Sequence, residues 1–145
     1  MSHVCAELVA RCFAARTTAH FAHLATASYA QHMALGSFYD DIASNADEFV
    51  ESYMGIYGQL SVKDFPALRL STAPIITQLT DLRTWVAANR EECCEAYDDK
   101  DDEAKEADDA DDAESGDIDN TELGNLIDNI LSTIDRTLYK LRFLK

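Results

Sequence analysis

Residues 20–55 read HFAHLATASYAQHMALGSFYDDIASNADEFVESYMG, and two helices meet inside them. Thr26 and Ser28 place two cap-forming side chains close together, so one helix ends before them and another opens after Ser28. Beyond Ser28, Leu35, Ile42, Phe49, Val50, Tyr53 and Tyr57 recur at helical spacing until Gly58, a residue suited to ending a helix. This spacing predicts a helix over 29–57. Upstream, Val4, Leu8, Cys12, His20 and Leu24 recur through Ala-rich filling, with Ser2 as cap, and predict a helix over 3–25.

Downstream the period lapses. Residues 59–73 sustain no repeat, and Pro66 and Pro74 bracket a stretch, 67–70, that fits one short helical turn. A link of this length reads as a crossover instead of a hairpin. Pro74 suits the first turn of a third helix, predicted over 73–97 from Ile75, Leu79, Leu82, Trp85 and Val86, a stripe that fades into Glu91, Glu92 and Glu95. Asp119 stands three residues before Glu122, a capping-box spacing. It precedes Leu123, Leu126, Ile127, Ile130, Ile134, Leu138 and Leu141, which predict a fourth helix over 120–143. Four amphipathic helices, with a long crossover between the second and third, describe one all-α domain over 1–145, a four-helix bundle with ferritin-like connectivity.

The chain's 145 residues carry 12 Lys plus Arg against 27 Asp plus Glu, a formal charge of −15. Bulk charge of that sign opposes binding to nucleic-acid phosphates. Most of it sits in one place: DDKDDEAKEADDADDAESGD, residues 98–117, holds twelve acidic and two basic residues, a net −10, and leaves −5 for everything else. Such a low-complexity insertion has no apolar face to bury. It also lacks the D-x-[DN]-x-[DN]-G loop of a calcium site. Glu7 and Arg11 interrupt any signal-type apolar run near the start, and the expectation is a protein of the cytoplasm with no membrane segment. Cys5 and Cys12 are seven apart, on one helix face, as small core residues would be; Cys93 and Cys94 lie among glutamates, which raise thiol pKa values. Reduced thiols are the expectation throughout. There is no P-loop, G-x-S-x-G or GxGxxG motif.

Three of the four histidines, His20, His23 and His32, fall within thirteen residues. Each alone is most simply a hydrogen-bonded surface or core residue, but carboxylates follow them. Asp47 and Glu51, four apart, project from one face of the second helix, a spacing that suits two oxygen ligands on a hard or borderline metal; a solvated helix face is the plain alternative. His32 and Asp47 lie fifteen residues apart, roughly 22 Å at about 1.5 Å per residue. They cannot share an ion within one chain. A common site requires a second subunit, and a homo-oligomer built from two-fold dimers supplies it.

The order and spacing of His20, His32, Asp47 and Glu51 within residues 20–55 resemble the Dps branch of the ferritin-like superfamily, miniature ferritins that oxidise iron at sites shared between subunits. The resemblance implies a ferroxidase in which both histidines come from one chain and both carboxylates from its partner, with peroxide or oxygen accepting the electrons. It implies no catalytic group beyond the metal ligands, and zinc suits the same ligand set as iron. The chain is also similar to small Dps-like proteins encoded by tailed phages, which implies a location in the host cytoplasm or the virion.

Two departures from that pattern bear on function. Where the family places a further carboxylate, one turn after the second histidine, this chain has Gly36. Asp40 is about 12 Å along the helix from His32, and His23, one turn from His20, offers a replacement nitrogen; on this reading Gly36→Asp restores an oxygen ligand and raises iron affinity. Dps proteins that bind DNA often carry a lysine-rich N-terminal tail, whereas here Arg11 and Arg16 are the only Lys or Arg among the first sixteen residues. Direct DNA binding by that route is therefore not expected. The competing class is a non-enzymatic interaction protein, phage or cellular, whose acidic insertion engages a basic protein partner or mimics nucleic-acid charge; solubility is its plainest role.

Overall fold

The computed structural model describes residues 3–97 and 120–145, and among them every regular element is helical. Four long helices, α1 (Val4–Ala25), α2 (Tyr29–Tyr57), α3 (Ile75–Ala88) and α4 (Thr121–Phe143), form an all-α four-helix bundle, with short 3-10 turns at Val62–Asp64 and Glu92–Cys94. The acidic insertion at 98–117, the capping residue Asp119 and the N-cap Ser2 lie outside the described residues.

Local chemistry sets the ends of α2. Ser28 Oγ accepts from the Gln31 N–H at 3.3 Å. At the other end Gly58 takes φ +104°, a left-handed conformation that glycine adopts without a Cβ clash, and its N–H donates to Met54 O at 2.9 Å. The third helix is shorter than its apolar stripe suggests. It stops at Ala88, where Asn89 donates to Trp85 O from both its backbone N–H (3.1 Å) and its side-chain amide (2.7 Å). The following glutamates oppose the negative end of a helix dipole. The chain turns instead and buries Cys93 and Cys94, the 3-10 turn packing on α1. Pro74 is the N-cap of α3 and lies outside its first turn.

The link between α2 and α3 carries its single turn at Val62–Asp64, not at 67–70. The reason is a capping box: Asp64 accepts from the Ser61 N–H at 2.6 Å while the Ser61 side chain takes the Asp64 N–H. Asn120 is the N-cap of α4, without a side-chain cap hydrogen bond.

Close packing joins α1 to α2 and α3, and α4 to α2 and α3. Cross-helix contacts give the directions. His3 meets Tyr53 and His23 meets His32; Asn45 reaches Thr133 and Tyr57 reaches Asn120; Arg83 pairs with Asp135 and Arg90 with Asp128; Arg11 lies over Trp85 and Cys93 meets Val4 O. All four neighbouring pairs are antiparallel. Leu8 and Cys12 of α1, Phe38, Ile42 and Phe49 of α2, Leu79 of α3 and Ile127, Ile130 and Ile134 of α4 are fully buried together. Each large aliphatic or aromatic side chain in that set contributes about 1.5–3 kcal/mol. Leu24, which shares the helical spacing of α1, is exposed at its end. None of the described helices is long and apolar enough to cross a membrane.

Candidate metal centre

The turn at 26–28 folds α2 back on α1 and decides where the histidines meet. Thr26 anchors it: its hydroxyl donates to Gln31 Oε1 at 2.5 Å and accepts from the Ser28 N–H at 3.1 Å. That registers the last turns of α1, with His20 and His23, against the first turn of α2, with His32. The His23 and His32 rings stack with centroids 3.6 Å apart and planes 23° apart. Each binds the other's backbone: His23 Nδ1 donates to His32 O at 2.7 Å and His32 Nδ1 donates to His23 O at 3.0 Å.

A carbonyl oxygen only accepts, so both Nδ1 atoms carry hydrogen. In a neutral imidazole the lone pair then resides on Nε2. This is how metal-ligating histidines are commonly oriented, one ring nitrogen fixed by a backbone carbonyl and the other left for the ion. His20 stacks on Tyr39 at 4.2 Å, its ring 6.0 Å from that of His23. All three histidines are half-buried.

Gly36 sits beneath this group. A Cβ there would meet His23 Cε1 at 3.3 Å and Nδ1 at 3.4 Å. His23 thus occupies the space next to position 36, and the histidine that sequence offers as a replacement nitrogen lies where a side chain at 36 would begin. A side chain introduced by Gly36→Asp would start in close contact with the His23 ring, which would have to give by a few tenths of an ångström to admit it.

Asp47 and Glu51 are both exposed on α2 and are not near the histidines; the rise of the helix sets Asp47 roughly 22 Å from His32. Asp40 is exposed as well. Among the described residues no three His, Cys, Asp or Glu side chains are grouped so as to hold a metal ion within the chain. Around the histidines Phe21, Leu24, Tyr29 and Met33 are exposed, Tyr29 at 78%. Four large apolar side chains at one end of a helix pair make a patch of the kind that marks an interaction site.

Sequence reasoning gave no role to the fourth histidine and did not bring the four thiols together. His3 is buried at the far end of the bundle, its Nε2 3.2 Å from Tyr53 Oη, which donates to Glu95 O at 2.9 Å. Among the described residues its Nδ1 has no hydrogen-bond partner. Burial holds His3 below the usual histidine range, with Asp64 opposing. Cys5, Cys12, Cys93 and Cys94 are free and buried in one core. Burial, with the neighbouring thiols adding to it, pushes Cys12 and Cys93 up to about 12. Cys93 donates to Val4 O and Cys94 to Arg90 O. The spacing of Cys5 and Cys12 was a readable core signal; their meeting with Cys93 depends on the turn after α3.

A family model described as a family of unknown function, DUF5856, matches residues 23–109, more than half of the chain. The chain belongs to the DUF5856 family. The match takes in His23, His32, Gly36, Asp47 and Glu51 and leaves His20 outside. No curated protein and no solved structure matches the chain.

Proposed function

We propose that this chain is a Dps-like iron-binding protein whose ferroxidase site is shared between subunits: His20, His23 and His32 from one, Asp47 and Glu51 from the next. The observation that carries the reading is the paired fixing of His23 and His32, half-buried histidines whose two Nε2 lone pairs it leaves uncommitted. At 100° per residue, Asp47 and Glu51 lie about 60° and 100° around α2 from His32, so the three positions span a sector of about 100°. A two-fold axis passing near residue 40 would set residues 47–51 of one α2 against about residues 30–34 of the other. The exposed Tyr29 and Met33 then supply apolar area for the contact.

Ferritin-like connectivity is supported by the helix directions. Both α2 and α3 run antiparallel to α1, so they run parallel to each other, and the 58–74 link returns along the bundle as a crossover. Fe(II) is the substrate. Two Fe(II) ions give one electron each to peroxide, which takes up two protons and leaves as two waters. His23 stands in for the missing carboxylate at position 36, and three imidazoles with two carboxylates suit iron or zinc.

The test is Fe(II) oxidation followed by absorbance, with metal content and solution mass measured on the same sample. The wild type should oxidise Fe(II) faster than buffer and be an oligomer, and His32→Ala or Glu51→Ala should each remove the excess rate. A monomer, or an excess that survives both substitutions, would contradict the reading.

A further inference from the structure

A cavity of about 340 Å³ lies between α1, α3 and the 58–74 link, away from the histidines. Small-molecule sites typically span about 300–1,000 Å³. Its floor is apolar and buried, made by Ala10, Ala14 and Ala15 of α1 with Leu82 of α3, and Pro66 and Ala67 of the link form one side. The small α1 side chains leave the volume open.

Four charged residues stand around this floor: Glu7, Arg11, Arg69 and Asp81. Two of them satisfy each other. Arg11 donates to Glu7 Oε1 from Nε at 2.9 Å and from Nη2 at 2.6 Å, and its guanidinium lies 4.4 Å from the centre of the Trp85 ring. Arg69 and Asp81 have no hydrogen-bond or ion-pair partner among the described residues. Gln78 donates from Nε2 to Ser71 O and Ala73 O at 3.3 and 2.6 Å, which leaves Oε1 as a free acceptor. With respect to the described residues, the wall therefore offers one free cation, one free anion and one free carbonyl oxygen above hydrocarbon.

We propose that this cavity binds an aliphatic zwitterion, an amino acid with a hydrocarbon body. Its carboxylate pairs with Arg69, its ammonium with Asp81 and Gln78 Oε1, and its side chain covers the alanine floor. The charges select the class. A fatty acid would satisfy Arg69 and face Asp81 with like charge; an alkylamine would satisfy Asp81 and face Arg69. Only a ligand with both signs meets both groups. A phosphate ester finds a single free cation and two carboxylates. The inference stands independently of the metal reading.

Binding is measured by calorimetry and by methyl shifts of Ala10, Ala14 and Ala15 on the full chain, using L-leucine, 6-aminohexanoate, hexanoate and hexylamine as probes. At least one zwitterion should bind and shift the methyls, with hexanoate and hexylamine at least tenfold weaker; which zwitterion binds better gives the spacing of the two charges. Arg69→Gln and Asp81→Asn, at exposed positions that leave the core intact, should each weaken zwitterion binding at least tenfold. No methyl shift at tens of millimolar, hexanoate or hexylamine binding as well as the zwitterions, or unchanged affinity in Arg69→Gln would each overturn the proposal.

Discussion

At position 36 the absence of a side chain has a reason that position 55 lacks. Both glycines lie inside α2, but a Cβ at Gly36 meets the His23 ring at 3.3 Å, whereas one at Gly55 meets nothing within 4 Å. Gly→Ala in a helix interior gains up to about 1 kcal/mol. Gly55→Ala should therefore stabilise by about 0.5–1 kcal/mol in urea unfolding, and Gly36→Ala should give less, because the ring that must yield is held by His32 O. Equal gains would contradict the crowding. Single residues also set the pH response. Cys12 and Cys93, at about 12 in the fold, ionise near 8.5 when unfolded. Between those values the unfolded chain has lost a proton that the folded chain keeps. Stability is thus full below about pH 8.5 and falls above it, by up to about 1.4 kcal/mol per pH unit for each thiol. On the acid side His3, held below its ordinary value, binds its proton more readily when unfolded, and stability falls as pH drops below about 6.5. Thermal melts should show the highest Tm between these limits, and an equal Tm at pH 7.5 and 10.5 would contradict the thiol account. The sequence showed His23 one turn from His20; its exchange of hydrogen bonds with His32 was not readable, because it depends on how the 26–28 turn sets two helices in register.

The helices divide by what ends them. Ser28 and Gly58 act within their own turn, and both ends of α2 were legible from them. The end of α3 was not, because Asn89 and the burial of Cys93 and Cys94 against α1 involve a neighbouring element. The turn at Val62–Asp64 was legible in principle, since Ser61 and Asp64 have capping-box spacing. One tertiary contact bears directly on the acidic insertion. Tyr57 Oη lies 2.8 Å from Cys94 O and 2.8 Å from Asn120 Oδ1, so the two sides of the insertion are tied at one point of α2. Deleting residues 98–117 removes a net −10 and replaces a long closure by a short one, a change that alters stability by no more than about 1 kcal/mol. The deletion variant should keep its helical circular dichroism and melt cooperatively. Failure to fold would show that these residues contribute packing.

For the whole molecule, a four-helix all-α bundle followed from apolar spacing alone, because the stripes of α2 and α4 in particular are the faces that bury. The proposed site is another matter. Spacing along α2 keeps Asp47 roughly 22 Å from His32, so arithmetic on one helix could point to a second subunit without indicating its position. The exposed Phe21, Leu24, Tyr29 and Met33 mark a surface for it beside the histidines. The most direct test is complementation between chains. A His20→Ala/His32→Ala chain and an Asp47→Asn/Glu51→Gln chain are each inactive on the shared-site account, since every site lacks one half. Unfolded together in equal amounts and refolded, they should form mixed dimers in half of the pairs, each with one intact site, and recover about a quarter of the wild-type iron binding and oxidation. No recovery in mixed dimers, shown to have formed by mass, would contradict a site built from two subunits.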